Sequence, residues 1–121
     1  KEEADFADAH RDRVHIYWGK DQARWDIEAI AAHLRGRPIY VTFDIDGLDG
    51  AVMPATGTPT PGGLSYLHAI AILKRAAEVG TIVGADLVEL APIPGFHIYD
   101  YTAAALAYKI MSYALSGTGP R

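Results

Sequence analysis

The sequence contains no cysteine, which excludes disulfides and thiolate metal sites and fits a reducing, cytoplasmic setting. No apolar run approaches the roughly 20 residues a helix needs to cross a bilayer, so no membrane partner is expected. The opening residues, KEEADFADAH, lack the apolar stretch of a signal peptide. Basic residues are no majority either. The 11 Lys and Arg are scattered among 15 Asp and Glu, for a net charge of −4, and no basic face for nucleic acid is expected. What is present is apolar: half of the 121 residues, enough for a real core in one domain or a piece of one. A chain that begins at Lys1 reads as part of a longer protein.

The periodicity alternates between helix and strand. Residues 1–13 read as the end of a helix, and VHIYW (14–18), β-branched and aromatic, as a strand. After a turn at GKDQ, residues 23–35 set Trp25, Ile27, Ile30, Ala31 and Leu34 on one helical stripe, which Gly36 and Pro38 end. PIYVTFDID (38–46) is a near-continuous apolar run, expected as a buried parallel strand. Residues 47–63 are too rich in glycine and proline for a regular element. Ser65 caps a helix that Gly80 ends. TIVGADLVEL (81–90) reads as a further buried strand, and residues 101–115 as an Ala-rich helix. The order implies βαβ units, an α/β fold with a three-layer αβα arrangement and a parallel sheet. Three parallel strands make a thin sheet with open edges, so the 121 residues are expected to be the C-terminal part of a single α/β domain.

The informative stretch is VTFDIDGLDG (41–50), three aspartates directly after apolar residues. Side chains two apart on a strand share a face, so Asp44 and Asp46 are expected together at a strand's carboxyl end, where α/β proteins collect ligands. Two like charges there repel, and a hard cation would relieve them. The plain alternative is that one aspartate caps the loop. Asp49 is expected to order the loop by accepting backbone hydrogen bonds. The pair permits metal-assisted hydrolysis or phosphoryl transfer with Asp44 as nucleophile and Asp46 as acid/base. The second resembles the haloacid-dehalogenase phosphatases, although Leu48 stands where that family usually has Thr or Val.

FDIDGLDGAVMPATGTPTPGGLSY (43–66) closely resembles the signature of the ureohydrolases, the arginase and agmatinase family, and DLVELAP (86–92) resembles that family's next block. With TAAALAYKIM near the end, the resemblance runs over about residues 1–116, with an agmatinase-like flavour in ELAPIPG. It implies an α/β enzyme with two Mn²⁺ ions that hydrolyses a small guanidino substrate to urea and an amine, and a homo-oligomer (trimer or hexamer) at full length. It further implies Asp44 and Asp46 as metal ligands, Thr58 beside the active site, and Glu89 on the substrate guanidinium. A guanidinium does pair well with a carboxylate. Gly50 departs from the family, which usually has Pro there. The remaining ligands and the catalytic His are expected upstream, leaving the isolated chain inactive. A truncated, non-catalytic domain is the alternative from another class.

DAHRD (8–12) resembles the family's other metal motif, but it lies in a polar helical stretch too close in sequence to Asp44. On a helix Asp8, His10 and Asp12 fan over different faces, so they are not taken as ligands. His15, His33, His68 and His97 are expected to be structural or exposed, with the substrate mouth as the alternative for His97.

Overall fold

A computed structural model of the chain describes residues 2–116. Its elements run α1 (Glu2–Ala9), α2 (Ile27–Ala32), β1 (Pro38–Asp44), α3 (Tyr66–Val79), β2 (Thr81–Val88) and α4 (His97–Leu115), with 3₁₀ turns at Gly19–Arg24 and Ile45–Gly47. β1 and β2 pair in parallel, joined by the α3 crossover. This is the expected α/β unit, reduced to a two-stranded sheet among the described residues.

Two expectations are corrected. The segment 14–18 forms no strand. Its β-branched residues suit one, but a strand needs a partner for its backbone groups, and among the described residues the segment pairs with neither β1 nor β2. The helix expected over 23–35 begins only at Ile27, because the Asp26 carboxylate accepts from the Glu28 N–H at 2.9 Å and caps it. Its stripe survives nonetheless: Ala31 is buried, and Trp25, Ile27, Ile30 and Leu34 are half-buried. Among the described residues the strands are covered on one face only. Ile39, Val41 and Phe43 of β1 turn toward α3 and α4, whereas Tyr40, Thr42 and Asp44 point to solvent. Both packed helices lie on the same side, so the described residues supply two layers of the three-layer arrangement, as expected of a chain that carries only part of the fold.

The main core joins Leu73 of α3 and Leu106 and Ile110 of α4 to Ile45, Leu48, Met53 and Ala55. Those last four belong to the turn and loop after β1, so the loop is anchored by its own apolar residues. The capping expectations hold. The Ser65 hydroxyl accepts from the His68 N–H at 3.1 Å, and Gly80 follows the last turn of α3. At Gly80 a Cβ would meet the Leu34 and Arg37 carbonyls at 2.7 and 2.9 Å, so that corner needs glycine for space. Arg75 of α3 reaches Glu28 with two bonds of 2.6 and 2.7 Å and Glu78 at 3.1 Å, tying α2 to α3. The Arg75 guanidinium accordingly holds the Glu28 carboxyl below its ordinary pKa.

Candidate metal centre

β1 stops at Asp44 because Asp44 turns its own chain. Its carboxylate accepts from the Asp46 N–H at 3.2 Å and starts the 3₁₀ turn. Asp46 therefore lies off the strand, and the expected strand-face geometry of the pair is replaced by a turn. Ile45 between them is fully buried, which fixes the turn against the core. The Asp46 carboxylate is held from the other side of the loop, where the Thr58 hydroxyl donates to it at 2.5 Å. Thr58 thus has its hydroxyl directed at Asp46, an orienting contact. Its own carbonyl accepts from the Thr60 hydroxyl at 3.0 Å.

Asp49 behaves as the sequence suggests. Its two oxygens accept from the Ala51 N–H at 2.9 Å and the Gly62 N–H at 2.7 Å, closing the loop between them. Neighbouring backbone bonds, Gly50 to Thr60 and Asp49 to Leu64, lace the same closure. The Gly50 N–H in that lacing is one a proline could not supply. Gly63 is needed for space, since a Cβ there would lie 2.6 Å from backbone atoms of Leu48 and Asp49. The Ala51 bond first, and the Gly62 bond second, hold the Asp49 carboxyl below its ordinary pKa. A depressed folded-state pKa adds stability that is present above the unfolded value, about 3.9, and vanishes as pH falls through the folded one. Asp49→Asn is therefore expected to lower the unfolding midpoint near neutral pH and to converge on the parent under acid. Denaturant titrations from pH 7 to pH 2 check this, and parallel curves would contradict it.

Glu89 follows β2 directly and has φ of 65°, the one non-glycine residue with positive φ among those described. A bulky residue in this region is uncommon, and such strain gathers at functional sites. The side chain is exposed. Because Asp44 pairs with Val88, Glu89 leaves the sheet one residue past the position beside Asp44. The loop then approaches it: Thr56 bridges to Leu90, and the Ala91 N–H donates to the Ala55 carbonyl at 2.9 Å. The blocks at 43–63 and 86–92 are thus physically joined.

The other sequence candidates sit elsewhere. Asp8 pairs with Arg11 at 2.7 Å, and His10 bonds the Phe6 carbonyl at 2.7 Å and stacks on that ring. His15 stacks on His33, and His68 lies against Trp25. His97 begins α4, exposed, 3.7 Å from Asp100. One carboxylate was not singled out from the sequence. Asp86, inside β2, accepts from the Tyr40 hydroxyl at 2.9 Å and the Thr42 hydroxyl at 2.7 Å. The bond to Asp86 raises the Tyr40 pKa above that of an ordinary phenol. A charged residue two-thirds of the way along an apolar run was the available signal.

Asp44, Asp46 and Glu89 have no Lys or Arg partner among the described residues. Asp44 and Asp46 each engage one oxygen with the protein and leave the other without a partner among the described residues. These hard oxygen donors suit a divalent cation such as Mn²⁺. They supply only part of a shell, since no group of three or more potential ligand side chains gathers among the described residues.

Residues 1–116 match the arginase family. An N(1)-aminopropylagmatine ureohydrolase from Synechocystis sp. is 35% identical over 116 residues, covering 93% of this chain and 37% of its own. Among solved structures, a hypothetical agmatinase from Burkholderia thailandensis is 42% identical with a TM-score of 0.65, covering 73% of this chain and 28% of that one. The proclavaminate amidino hydrolase from Streptomyces clavuligerus is 28% identical with a TM-score of 0.75, covering 86% and 36%. The chain spans between 28% and 37% of the length of these proteins.

Proposed function

Because the chain belongs to the arginase family, we propose that it supplies part of a dinuclear manganese site that hydrolyses an agmatine-like guanidino compound to urea and an amine. The observation that carries this reading is the meeting of two strand ends. Asp44 ends β1, Asp46 follows in the turn, Glu89 leaves β2 beside them, and no cationic side chain among the described residues pairs with any of the three.

In this reading Asp44 and Asp46 hold metal through the oxygens left without protein partners, while the Asp46 N–H and the Thr58 hydroxyl fix the carboxylates' orientation. Manganese bound there would supply an activated water near neutral pH. Glu89 accepts hydrogen bonds from the planar guanidinium and offsets its charge. Its left-handed backbone turns the side chain out of the β2 ladder instead of continuing the strand's alternation. Thr58 acts on substrate only through Asp46. Two aspartates leave most coordination positions open, so the 121 residues alone are expected to be inactive. A small guanidino substrate, assembly into a homo-oligomer and a cytoplasmic location belong to the same proposal.

The phosphatase alternative finds no support in the family match, which lies on arginases over residues 1–116. The test is urea release from agmatine, aminopropylagmatine and arginine with Mn²⁺, by the isolated chain and by a protein that carries it at full family length. Turnover by the long form alone is expected. Silence of the long form toward all three would favour the non-catalytic domain.

A further inference from the structure

β1 and β2 do not share one register. Pro38 and Ile39 pair with Thr81 and Ile82, but Tyr40 pairs with Gly84, so Val83 is an extra residue in β2. Such a bulge makes two alignments compete along one pair of strands. Carrying the first alignment onward would set Asp44 beside Leu87 and Asp86 beside Phe43. A slip of one residue also turns each side chain to the opposite face, so the Asp86 carboxylate would enter the apolar layer beneath Phe43. In the observed alignment Thr42 faces Asp86, Asp44 faces Val88, and Glu89 follows.

We propose that Asp86 is a positioning residue for the candidate site, selecting the strand alignment that sets Asp44 next to the backbone of Glu89. This rests on the reading of Asp44 and Glu89 given above. Asp86 engages β1 twice, one oxygen taking the Tyr40 hydroxyl at 2.9 Å and the other the Thr42 hydroxyl at 2.7 Å. Both bonds span the strands immediately after the bulge, where the alignment is decided. Gly84 admits the longer of the two reaches, because a Cβ there would stand 2.8 Å from the Tyr40 ring. The face carrying these groups is open among the described residues, with Tyr40 63% exposed, so no apolar layer they form on that side fixes the alignment. Thr42 is two residues before Asp44 and Asp86 three before Glu89, so the clamp sets both approaches to the site.

The test uses the protein at full family length. Asp86→Asn, which keeps the shape but loses one acceptor, is expected to lower kcat/KM at least tenfold while manganese content is retained. Combined with Glu89→Gln, it should lower kcat/KM no further than Glu89→Gln does alone, because Asp86 acts by placing Glu89. A purely structural role would make the two losses multiply, and that result, or unchanged kinetics, overturns the proposal. If Asp86→Asn fails to fold, Thr42→Val removes one of the two donors and enters the same cycle with the same criteria. If the long form releases no urea at all, the functional reading fails separately. Interstrand NOEs then decide about Asp86: loss of the Asp44–Val88 alignment in the variant supports the clamp, and an intact alignment refutes it.

Discussion

Alanine at Asp44 or Asp46, in a protein of full family length, is expected to strip manganese and to reduce urea release by more than about 100-fold. Removing groups that merely orient metal ligands already costs about 10- to 100-fold in affinity or activity, and each of these substitutions removes a ligand outright. The two need not behave alike. Asp44→Ala also deletes the acceptor that bends the chain after β1, so it should lower thermal stability together with metal content. Asp46→Ala leaves the turn's carboxylate acceptor in place and instead orphans the Thr58 hydroxyl. Elemental analysis against thermal melting separates these effects. Full manganese occupancy in both variants would remove the pair from the metal site.

Glu89→Gln should leave metal content and fold intact and cut kcat/KM at least tenfold. A hydrogen bond to a charged group is worth about 1.5–3 kcal/mol, and each 1.36 kcal/mol is a factor of ten in rate. The substitution keeps the length and the left-handed backbone, so the comparison isolates charge. Steady-state kinetics on the guanidino substrate with metal-saturated protein measures it. Parental values would take Glu89 out of substrate recognition.

The parts of this chain that were legible in the sequence are those set by local chemistry. Ser65 at the start of α3, Gly80 after it and Asp49 within its loop each act on backbone groups a few residues away or on the closing end of one loop. The α/β alternation was readable for the same reason. Segment 14–18 was not, because whether a β-branched run becomes a strand depends on a partner distant in sequence. The aspartate pair was half legible. Its residue types and its place after β1 could be read, but the turn made by Asp44 moved Asp46 off the strand, and the hold of Thr58 on Asp46 spans 12 residues of loop. Asp86 escaped notice because its two partners lie 44 and 46 residues away, and nothing in the local pattern announces a bulge that brings them opposite.

The joining of residues 55–56 to 90–91 also bears on how such proteins can be recombined. The Thr56–Leu90 bridge and the Ala91–Ala55 bond make the glycine-rich loop and the end of β2 one mechanical piece, although α3 separates them in the chain. A chimera that imports the loop alone would seat it against a foreign strand end, with its bridge out of line and the Thr58 hydroxyl displaced from Asp46. The natural unit of exchange runs from β1 through residue 91, crossover helix included, so variation in the loop is inherited most safely together with variation beyond β2.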